Sequence, residues 1–304
     1  MTKGLRIAYI CLVALTFGAA CLAPPSKAAP GDRLDRSRLK LTFAEEFDRP
    51  LEWWSDEAQR PHGKRWRTGF EHTRWPKQDT LRSRFLEGES QIYIDPKFRG
   101  SGINPFEVSN DQLTITARPT TSDEARRLDG KTYVSGLLTT AHAFQQVYGY
   151  FEMKAKLPAG PGWFPAFWLF SFSGRTEIDV MECLTGAPRV LYNGAIFKDP
   201  AGKPTKFNRI TFAEANPGPD LTSDFHSFGV LWTFHSVTFF LDDVEQWSIP
   251  NVPPGIPATP GFHEPMYMLV NLAVGGSWNA AKKYSPSGEG KMVIEHVRAY
   301  ELLR

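Results

Sequence analysis

From residue 39 onward the chain consists of short apolar runs, interrupted about every ten residues by Gly, Pro, Asn or Asp. Strict alternation of apolar and polar side chains, as in residues 112–117, is typical of a half-buried β-strand. Residues 122–128 could form a helical turn, which Gly130 would end. Many short strands with regular turn signals indicate antiparallel sheets packed as a sandwich or barrel. We therefore expect a single all-β domain.

The predicted strands have apolar or alternating side chains between turn residues. They cover residues 41–43, 91–94, 112–117, 137–140, 148–157, 164–170, 177–182, 190–197, 225–234, 237–247, 267–273 and 292–300. Residues 51–84, rich in Trp, Arg, Gly and Pro without a clear period, are predicted to form a long surface loop. The Pro-rich residues 249–265 are predicted to form a second loop between two strands.

Residues 1–28 have the pattern of a secretory signal peptide. Lys3 and Arg6 precede an apolar segment, residues 7–20, which is too short to cross a bilayer comfortably. The small residues Ser26 and Ala28 suit cleavage after Ala28. We therefore expect a mature domain of residues 29–304 that is secreted or periplasmic.

An alternative is acylation of Cys21, which follows two alanines as in a lipoprotein, although the usual Leu three residues before the Cys is absent. Cleavage after Ala28 would change the formal net charge from +2 to −1, because the segment carries three basic residues and no acidic ones. No basic block then suggests nucleic acid as a partner, or a membrane unless Cys21 is lipidated. We expect a monomer whose partner is a polysaccharide substrate.

Cys183 is the one cysteine that lies beyond the predicted signal peptide and Cys21. A lone cysteine excludes an intrachain disulfide framework in the mature domain. It follows Glu182 directly and should point into the packed interior, where a structural thiol is expected rather than a nucleophile.

The stretch from Glu177 to Glu182 reads Glu-Ile-Asp-Val-Met-Glu, three carboxylates separated by apolar side chains. In a regular strand Glu177 and Asp179 point to one face and Glu182 to the other. One extra residue at Val180 or Met181, a β-bulge, would return Glu182 to the face of the other two. Two glutamates on one sheet face are what a retaining glycosidase needs. The alternative is a solvated strand edge with its charges directed outward.

Three other predicted strands carry Trp, His or Asn on one face. His226 and Trp232 share a face of residues 225–234, while Trp168 and Asn271 lie on alternating faces of their own strands. Aromatic rings mixed with amides are typical of sugar-binding clefts. The alternative is that the aromatic side chains belong to the core.

Four separated segments, residues 162–170, 177–182, 224–232 and 271–278, resemble glycoside hydrolase family 16 in order and spacing. The resemblance covers about residues 39–304. The extra residue in the acidic segment is similar to the laminarinase-type branch and unlike the lichenase branch. Further segments resemble bacterial endo-β-1,3-1,4-glycanases that cut succinoglycan-type exopolysaccharides: residues 91–96, 105–108, 135–140 and 148–152.

The resemblance implies a β-jelly-roll sandwich of two curved antiparallel sheets, concanavalin A-like, with an open concave glycan-binding cleft. It implies that Glu177 is the nucleophile and Glu182 the general acid/base, with Asp179 tuning the pair. The implied substrate-binding residues are Trp168, His226, Trp232, Asn271 and Trp278.

The expected activity is retaining endo-hydrolysis of a β-1,3- or mixed β-1,3/1,4-linked glucan, or of a related bacterial exopolysaccharide. One alternative is the same mechanism on a galactan such as agarose or carrageenan, which a panel of polysaccharides would distinguish. Another is a non-catalytic glycan-binding jelly roll, whose signature would be the loss of one glutamate.

Several positions depart from the family pattern. Phe164 stands where relatives usually have Trp, residues 193–197 lack the His or Trp of many relatives, and an Asn expected near residues 87–89 is missing. These departures affect the preference for particular sugars. No cofactor and no metal in the active site are expected. The resemblance also allows a structural Ca²⁺ on the convex side, where Glu295 occupies the place of an acidic ligand.

Overall fold

The computed structural model describes residues 31–55, 63–71, 82, 88–199, 202, 204–210, 218–251, 261–276 and 286–303. The predicted signal peptide, Cys21 and Trp278 lie outside these ranges. The strands in chain order are β1 (Leu39–Glu45), β2 (Trp53–Trp54), β3 (Trp66–Arg67), β4 (Gln91–Tyr93), β5 (Phe106–Ser109), β6 (Gln112–Pro119), β7 (Tyr133–Ser135), β8 (Leu137–Thr139), β9 (Gly149–Lys156), β10 (Trp163–Ser171), β11 (Thr176–Glu182), β12 (Tyr192–Lys198), β13 (Pro204–Ile210), β14 (His226–Trp232), β15 (Ser236–Leu241), β16 (Val244–Pro250), β17 (Met266–Val274) and β18 (Gly290–Leu302).

These strands form two sheets, which confirms the predicted all-β sandwich. One sheet has the order β16-β15-β14-β9-β18-β6-β7-β4, with β1 added beside β18 and β5 beside β6. The other has the order β13-β12-β11-β10-β17-β8-β3-β2. Apart from the short pairs β2–β3 and β4–β7, the pairing of the described strands is antiparallel.

The main core lies between the two sheets. Trp66 and Trp163 enter it from the sheet that holds β11, and Trp232 enters it from the other sheet. All three indole rings are essentially inaccessible to solvent. Since burial of large apolar side chains is the main favourable term in folding, this aromatic layer fixes how the sheets sit on each other.

The predicted helical turn is α1 (Ser122–Arg127). Thr121 caps it, accepting a hydrogen bond from the backbone N–H of Glu124, whose side chain in turn bonds the backbone of Thr121. This reciprocal arrangement is a capping box. Gly130 follows the helix with a φ of 74°, a left-handed conformation that glycine adopts readily.

Some sequence predictions are corrected by the structure. Residues 237–247 form two strands and not one, because the chain reverses at Asp242 and Asp243, which have φ values of 51° and 64°. Two successive residues with positive φ match a tight hairpin turn. The predicted loop over residues 51–84 contains the short strands β2 and β3, and β13 was not predicted.

Cys183 is fully buried in the core, as predicted. Burial raises the pKa of its thiol to about 12, so the group is neutral at ordinary pH and unsuited to act as a nucleophile. Among the described helices, none is both long and apolar enough to cross a membrane.

Candidate active site

Strand β11 contains one more residue than its neighbour β10 over the acidic segment. Across the pair, Phe170 lies opposite Glu177 and Ala166 lies opposite Glu182, so four steps on β10 match five on β11. The register shifts between the partners of Asp179 and Met181, which makes Val180 the extra residue. The predicted bulge is confirmed.

The bulge places the carboxylates together on the face of the eight-stranded sheet that is turned away from the core, called here the active face. Three apolar side chains of the segment are buried between the sheets: Ile178, Val180 and Met181. Alternation therefore puts Glu177 and Asp179 on the active face, and the extra residue brings Glu182 to the same side. Glu177 is 9% exposed and Asp179 7%, so both line a recess and not an open surface.

The backbone of the bulge is bonded by the neighbouring strand β12. Asn193 donates from Nδ2 to the carbonyl oxygen of Val180 over 2.6 Å. On β12, Gly194 pairs with Asp179 and Tyr192 pairs with Glu182, so Asn193 stands opposite the irregular part of β11. The sequence predicted a strand over residues 190–197 and showed a departure from the family pattern at residues 193–197, but it gave no role to this amide.

A chain of hydrogen bonds lies next to the carboxylates. Trp168, which pairs with Asp179, donates from Nε1 to Oδ1 of Asn271 over 2.8 Å. Asn271 donates from Nδ2 to the hydroxyl of Tyr93 over 3.1 Å. Burial raises the pKa of the Tyr93 phenol well above its usual value, so this hydroxyl keeps its proton. The predicted residues Trp168 and Asn271 are thus brought together on the active face.

A second set of hydrogen bonds joins the side chain of Gln91, on β4, to neighbouring residues. Gln91 donates from Nε2 to a carboxylate oxygen of Glu89 over 2.7 Å and accepts at Oε1 from the backbone N–H of Val274 over 2.8 Å. The sequence predicted a strand at residues 91–94 and a family resemblance over residues 91–96, but no role for these side chains. The bond to Val274 ties β4 to β17 and thereby helps to fix the position of Tyr93.

A second apolar cluster covers the active face around Trp168. Its buried members are Phe70, Tyr93, Leu137, Ala141, Ala166, Trp168, Phe170, Tyr267 and Leu269. Trp168 is only 5% exposed although it points away from the main core. The active face is therefore overlaid by further side chains and forms a recess with an aromatic floor.

A charged group borders the recess beside Tyr267. Arg67, from β3, contacts the carboxylate of Glu71, which lies 2.8 Å from Nε2 of His142. The ring centroid of His142 lies 5.0 Å from that of Phe172. Burial, together with the negative charges of Glu71 and Glu177, raises the pKa of Tyr267. These residues were not predicted, because the segment carrying Arg67 and Glu71 shows no clear periodicity.

Two predicted substrate-binding residues do not lie on the active face. Trp232 is buried between the sheets and donates from Nε1 to the carbonyl oxygen of Phe262 over 2.7 Å. His226 begins β14 in the other sheet, where its Nδ1 lies 2.8 Å from Oδ2 of Asp242. That hydrogen bond raises the pKa of His226. The two residues share one strand face, which packs into the core at Trp232, while His226 lies partly exposed at the beginning of the strand. The structure thus places neither of them on the active face, contrary to the arrangement that the prediction assumed.

Comparison with known proteins gives a consistent result. The family model described as Glycosyl hydrolases family 16 matches residues 102–298. Endo-1,3-1,4-beta-glycanase ExsH of Rhizobium meliloti (strain 1021) is 36% identical over 277 residues, which cover 88% of this chain. Endo-1,3-1,4-beta-glycanase EglC of the same organism is 33% identical over 286 residues, also 88% of this chain.

The chain spans about half of each of these relatives, 53% of their length. Among solved structures, SCLam, a non-specific endo-beta-1,3(4)-glucanase from family GH16, superposes with a TM-score of 0.69 at 24% identity. The match covers 90% of this chain and 96% of that one. This likeness supports the jelly-roll sandwich.

Proposed function

This chain belongs to glycosyl hydrolase family 16, and from that premise we propose that it is an endo-β-glycanase acting with retention of configuration. The substrate that we propose is a β-1,3- or mixed β-1,3/1,4-linked glucan, or a related bacterial exopolysaccharide. One observation carries the proposal: the bulge at Val180 gathers Glu177, Asp179 and Glu182 on one recessed face.

In the first step, the carboxylate of Glu177 attacks the anomeric carbon, and the bond to the leaving oxygen breaks as Glu182 gives that oxygen its proton. In the second step, Glu182 takes a proton from water, whose oxygen attacks the anomeric carbon and releases Glu177. Asp179 projects between the two glutamates and adds negative charge that disfavours ionisation of a nearby carboxyl group. This effect helps one of the pair to keep its proton.

The spacing along the strand suits this pair. Glu177 and Glu182 face residues four steps apart on β10, which corresponds to about 13 Å between their Cα atoms at ~3.3 Å per residue. Two glutamate side chains that lean toward each other bring their carboxyl groups much closer than that. A retaining pair requires roughly 5–5.5 Å between its two carboxyl groups, and an inverting pair roughly 6.5–9.5 Å.

Trp168 and Asn271 are the residues that we propose for contact with the reacting sugar. Trp168, on β10, pairs directly with Asp179 of β11. Asn271, on β17, pairs with Ala166 of β10, which in turn pairs with Glu182. An indole offers an apolar face to a sugar ring, and an amide offers hydrogen bonds to its hydroxyls. The relatives named as endo-1,3-1,4-beta-glycanases support the choice of a β-glucan.

The test is a panel of polysaccharides comprising laminarin, lichenan, succinoglycan, agarose and carrageenan. We expect reducing ends to appear from one or more of the first three. The variants Glu177→Gln and Glu182→Gln should lose activity, whereas Glu107→Gln, an exposed glutamate on β5 of the other sheet, should keep it. Cleavage of only agarose or carrageenan would instead identify a galactanase, and binding without cleavage would identify a glycan-binding protein.

The family generally needs no cofactor, and Glu295 does not fit the structural Ca²⁺ site that the resemblance allows. Its carboxylate accepts a hydrogen bond from Nζ of Lys154 over 2.9 Å, so an ammonium group already supplies the positive charge there. Ca²⁺ requires six to eight oxygen ligands. Within the described ranges, no group of three or more His, Cys, Asp or Glu residues could hold a metal ion.

A further inference from the structure

We propose that Asn193 is a positioning residue for the general acid: its side-chain amide holds the bulge that keeps Glu182 on the active face. This inference rests on the proposed function. Asn193 shares its strand parity with Ala195 and Phe197, both of which lie in the main core. Its side chain therefore lies on the core side of the sheet, and not on the active face where the substrate would bind.

The bulge interrupts the regular pairing between β11 and β12, and the amide of Asn193 bonds a backbone carbonyl at this interruption. Gly194 and Tyr192 pair with Asp179 and Glu182, so one residue of β12 faces both Val180 and Met181. A bulge disrupts the regular ladder and leaves its extra residue unpaired. Val180 is fully buried, and a buried carbonyl without a partner is costly. The bond from Asn193 Nδ2, at 2.6 Å, satisfies this carbonyl at the place where the ladder is interrupted.

The competing arrangement would be catalytically incompetent. If β11 slipped by one residue to remove the bulge, each residue on the slipped side would move to the opposite face. Glu182 would then point into the core, where its neighbours Met181 and Cys183 are now buried. The Asn193 bond exists only in the bulged register, so it favours that register over the slipped one. Loss of the bond should therefore affect the proton donor more than Glu177, which precedes the bulge.

Two substrates separate the proton donor from the nucleophile. A natural β-glucan needs protonation of its leaving oxygen, whereas a 2,4-dinitrophenyl β-laminaribioside has a leaving group that departs without it. General acid catalysis contributes typically 10²–10⁴-fold. For Asn193→Ala we expect kcat/KM on laminarin or lichenan to fall at least ~100-fold, and kcat/KM on the aryl glycoside to fall less than ~10-fold.

Asn193→Asp keeps the size of the side chain but, when ionised, cannot donate the hydrogen bond. It should behave like Asn193→Ala. The matched control is Asn251→Ala, which also removes a buried side-chain amide. That amide donates to the carbonyl oxygen of Thr233 over 2.7 Å, and it follows β16 in the other sheet. This control should lower the melting temperature while leaving the ratio of the two kcat/KM values within about twofold of wild type.

A second readout is rescue by azide, a nucleophile that needs no general base. Azide should accelerate turnover of the aryl glycoside by Asn193→Ala and yield a β-glycosyl azide, as expected when Glu182 is displaced and Glu177 still works. Wild type and Asn251→Ala should not respond.

The proposal is overturned if Asn193→Asp matches wild type on the glucan, or if both substrates lose activity by the same factor in the Asn193 variants. It is also overturned if neither Asn193 variant folds while Asn251→Ala does, because Asn193 is then a general determinant of folding. Wild-type protein that cleaves neither the aryl glycoside nor laminarin, lichenan or succinoglycan would refute the proposed function itself, and the role of Asn193 would fall with it.

Discussion

Trp168 donates its indole hydrogen to Oδ1 of Asn271 over 2.8 Å, on the same recessed face as the carboxylates that we propose to be catalytic. The bond fixes the plane of the indole that stands opposite Asp179. Since Asn271 also donates to Tyr93, each of the three groups limits the movement of the others. The surface that we propose to face the sugar is therefore held in place before a substrate arrives.

Replacement of Trp168 by Phe removes the indole donor but keeps an aromatic ring on the active face. We expect kcat/KM on glucan to fall about tenfold, which corresponds to the loss of roughly one hydrogen bond in the transition state. Steady-state kinetics on laminarin or lichenan would measure it. The matched control Trp247→Phe, on β16 of the other sheet, should stay within about twofold of wild type. Equal losses in the two variants would argue against a role of Trp168 in the recess.

Deletion of Val180 should make β11 regular without turning Glu182 away. The deletion leaves four steps between the glutamates, as many as separate their partners on β10. Because four is even, both carboxylates stay on the active face. We expect a folded protein with measurable activity on the aryl glycoside, in which Asn193→Ala no longer alters the preference between the aryl glycoside and the glucan. A full effect of Asn193→Ala in the deletion variant would contradict the link between this amide and the bulge.

Calcium should not stabilise the described domain. The ammonium of Lys154 occupies the carboxylate of Glu295, so we expect neither EDTA nor millimolar CaCl₂ to change the melting temperature. A ligand present at 100 times its Kd would contribute ~2.7 kcal/mol, which corresponds to a rise of roughly 5–10 °C in the melting temperature of a protein of this size. Differential scanning calorimetry would detect such a rise, and its appearance with CaCl₂ but not MgCl₂ would show that a site exists.

Acid should lower the free energy of unfolding through Glu152, a buried carboxylate on β9, in the sheet that does not contain β11. Burial alone would raise its pKa, but the His296 ring, whose Nε2 lies 3.5 Å from a carboxylate oxygen, and hydrogen bonds from Arg36 lower the pKa to about 2. A carboxyl group with a lowered pKa stabilises the folded state above its unfolded pKa of about 4.3, and this stabilisation is lost as the pH falls toward 2. Each pKa unit corresponds to ~1.4 kcal/mol, so about 3 kcal/mol should disappear between pH 5 and pH 2.

The measurement is urea unfolding from pH 7 to pH 2 for wild type and Glu152→Gln. The variant lacks the titrating group, so its free energy of unfolding should be lower at pH 7 and should decline less steeply on acidification. Arg36 contacts Glu152 over 2.7 Å and Tyr300 donates to it over 3.0 Å, and both groups remain in the variant. Parallel pH profiles for the two proteins would rule out Glu152 as a source of the acid sensitivity.

Local sequence information predicted the geometry of the carboxylate-bearing strand β11 well. The order of apolar and acidic residues from Glu177 to Glu182 predicted that a bulge at Val180 or Met181 would be needed to bring all three carboxylates to one face, and the structure has this bulge at Val180. The alternation in β17 likewise put Asn271 on the active face. In both strands the pattern was decisive because one face carries polar residues and the other does not.

The sequence could not show which side of β14 faces the other sheet. Trp232 and His226 form a mixed aromatic and polar face like that of a sugar-binding strand, but this face turns inward. Which face of β14 turns inward depends on the sheet to which the strand belongs. That is decided by its pairing with β9, some eighty residues earlier in the chain. The role of Asn193 was hidden for a similar reason, because its partner Val180 lies on a different strand.

The measurement that tests the central claim most directly is capture of the covalent intermediate. A 2,4-dinitrophenyl 2-deoxy-2-fluoro-β-laminaribioside has a good leaving group but a slow second step, so it should accumulate as a glycosyl ester on the enzyme. Mass spectrometry of the peptic digest should locate this ester on Glu177, and proton NMR of early products from laminarin should show retained anomeric configuration. An ester on Glu182, or inverted product without any adduct, would contradict the account.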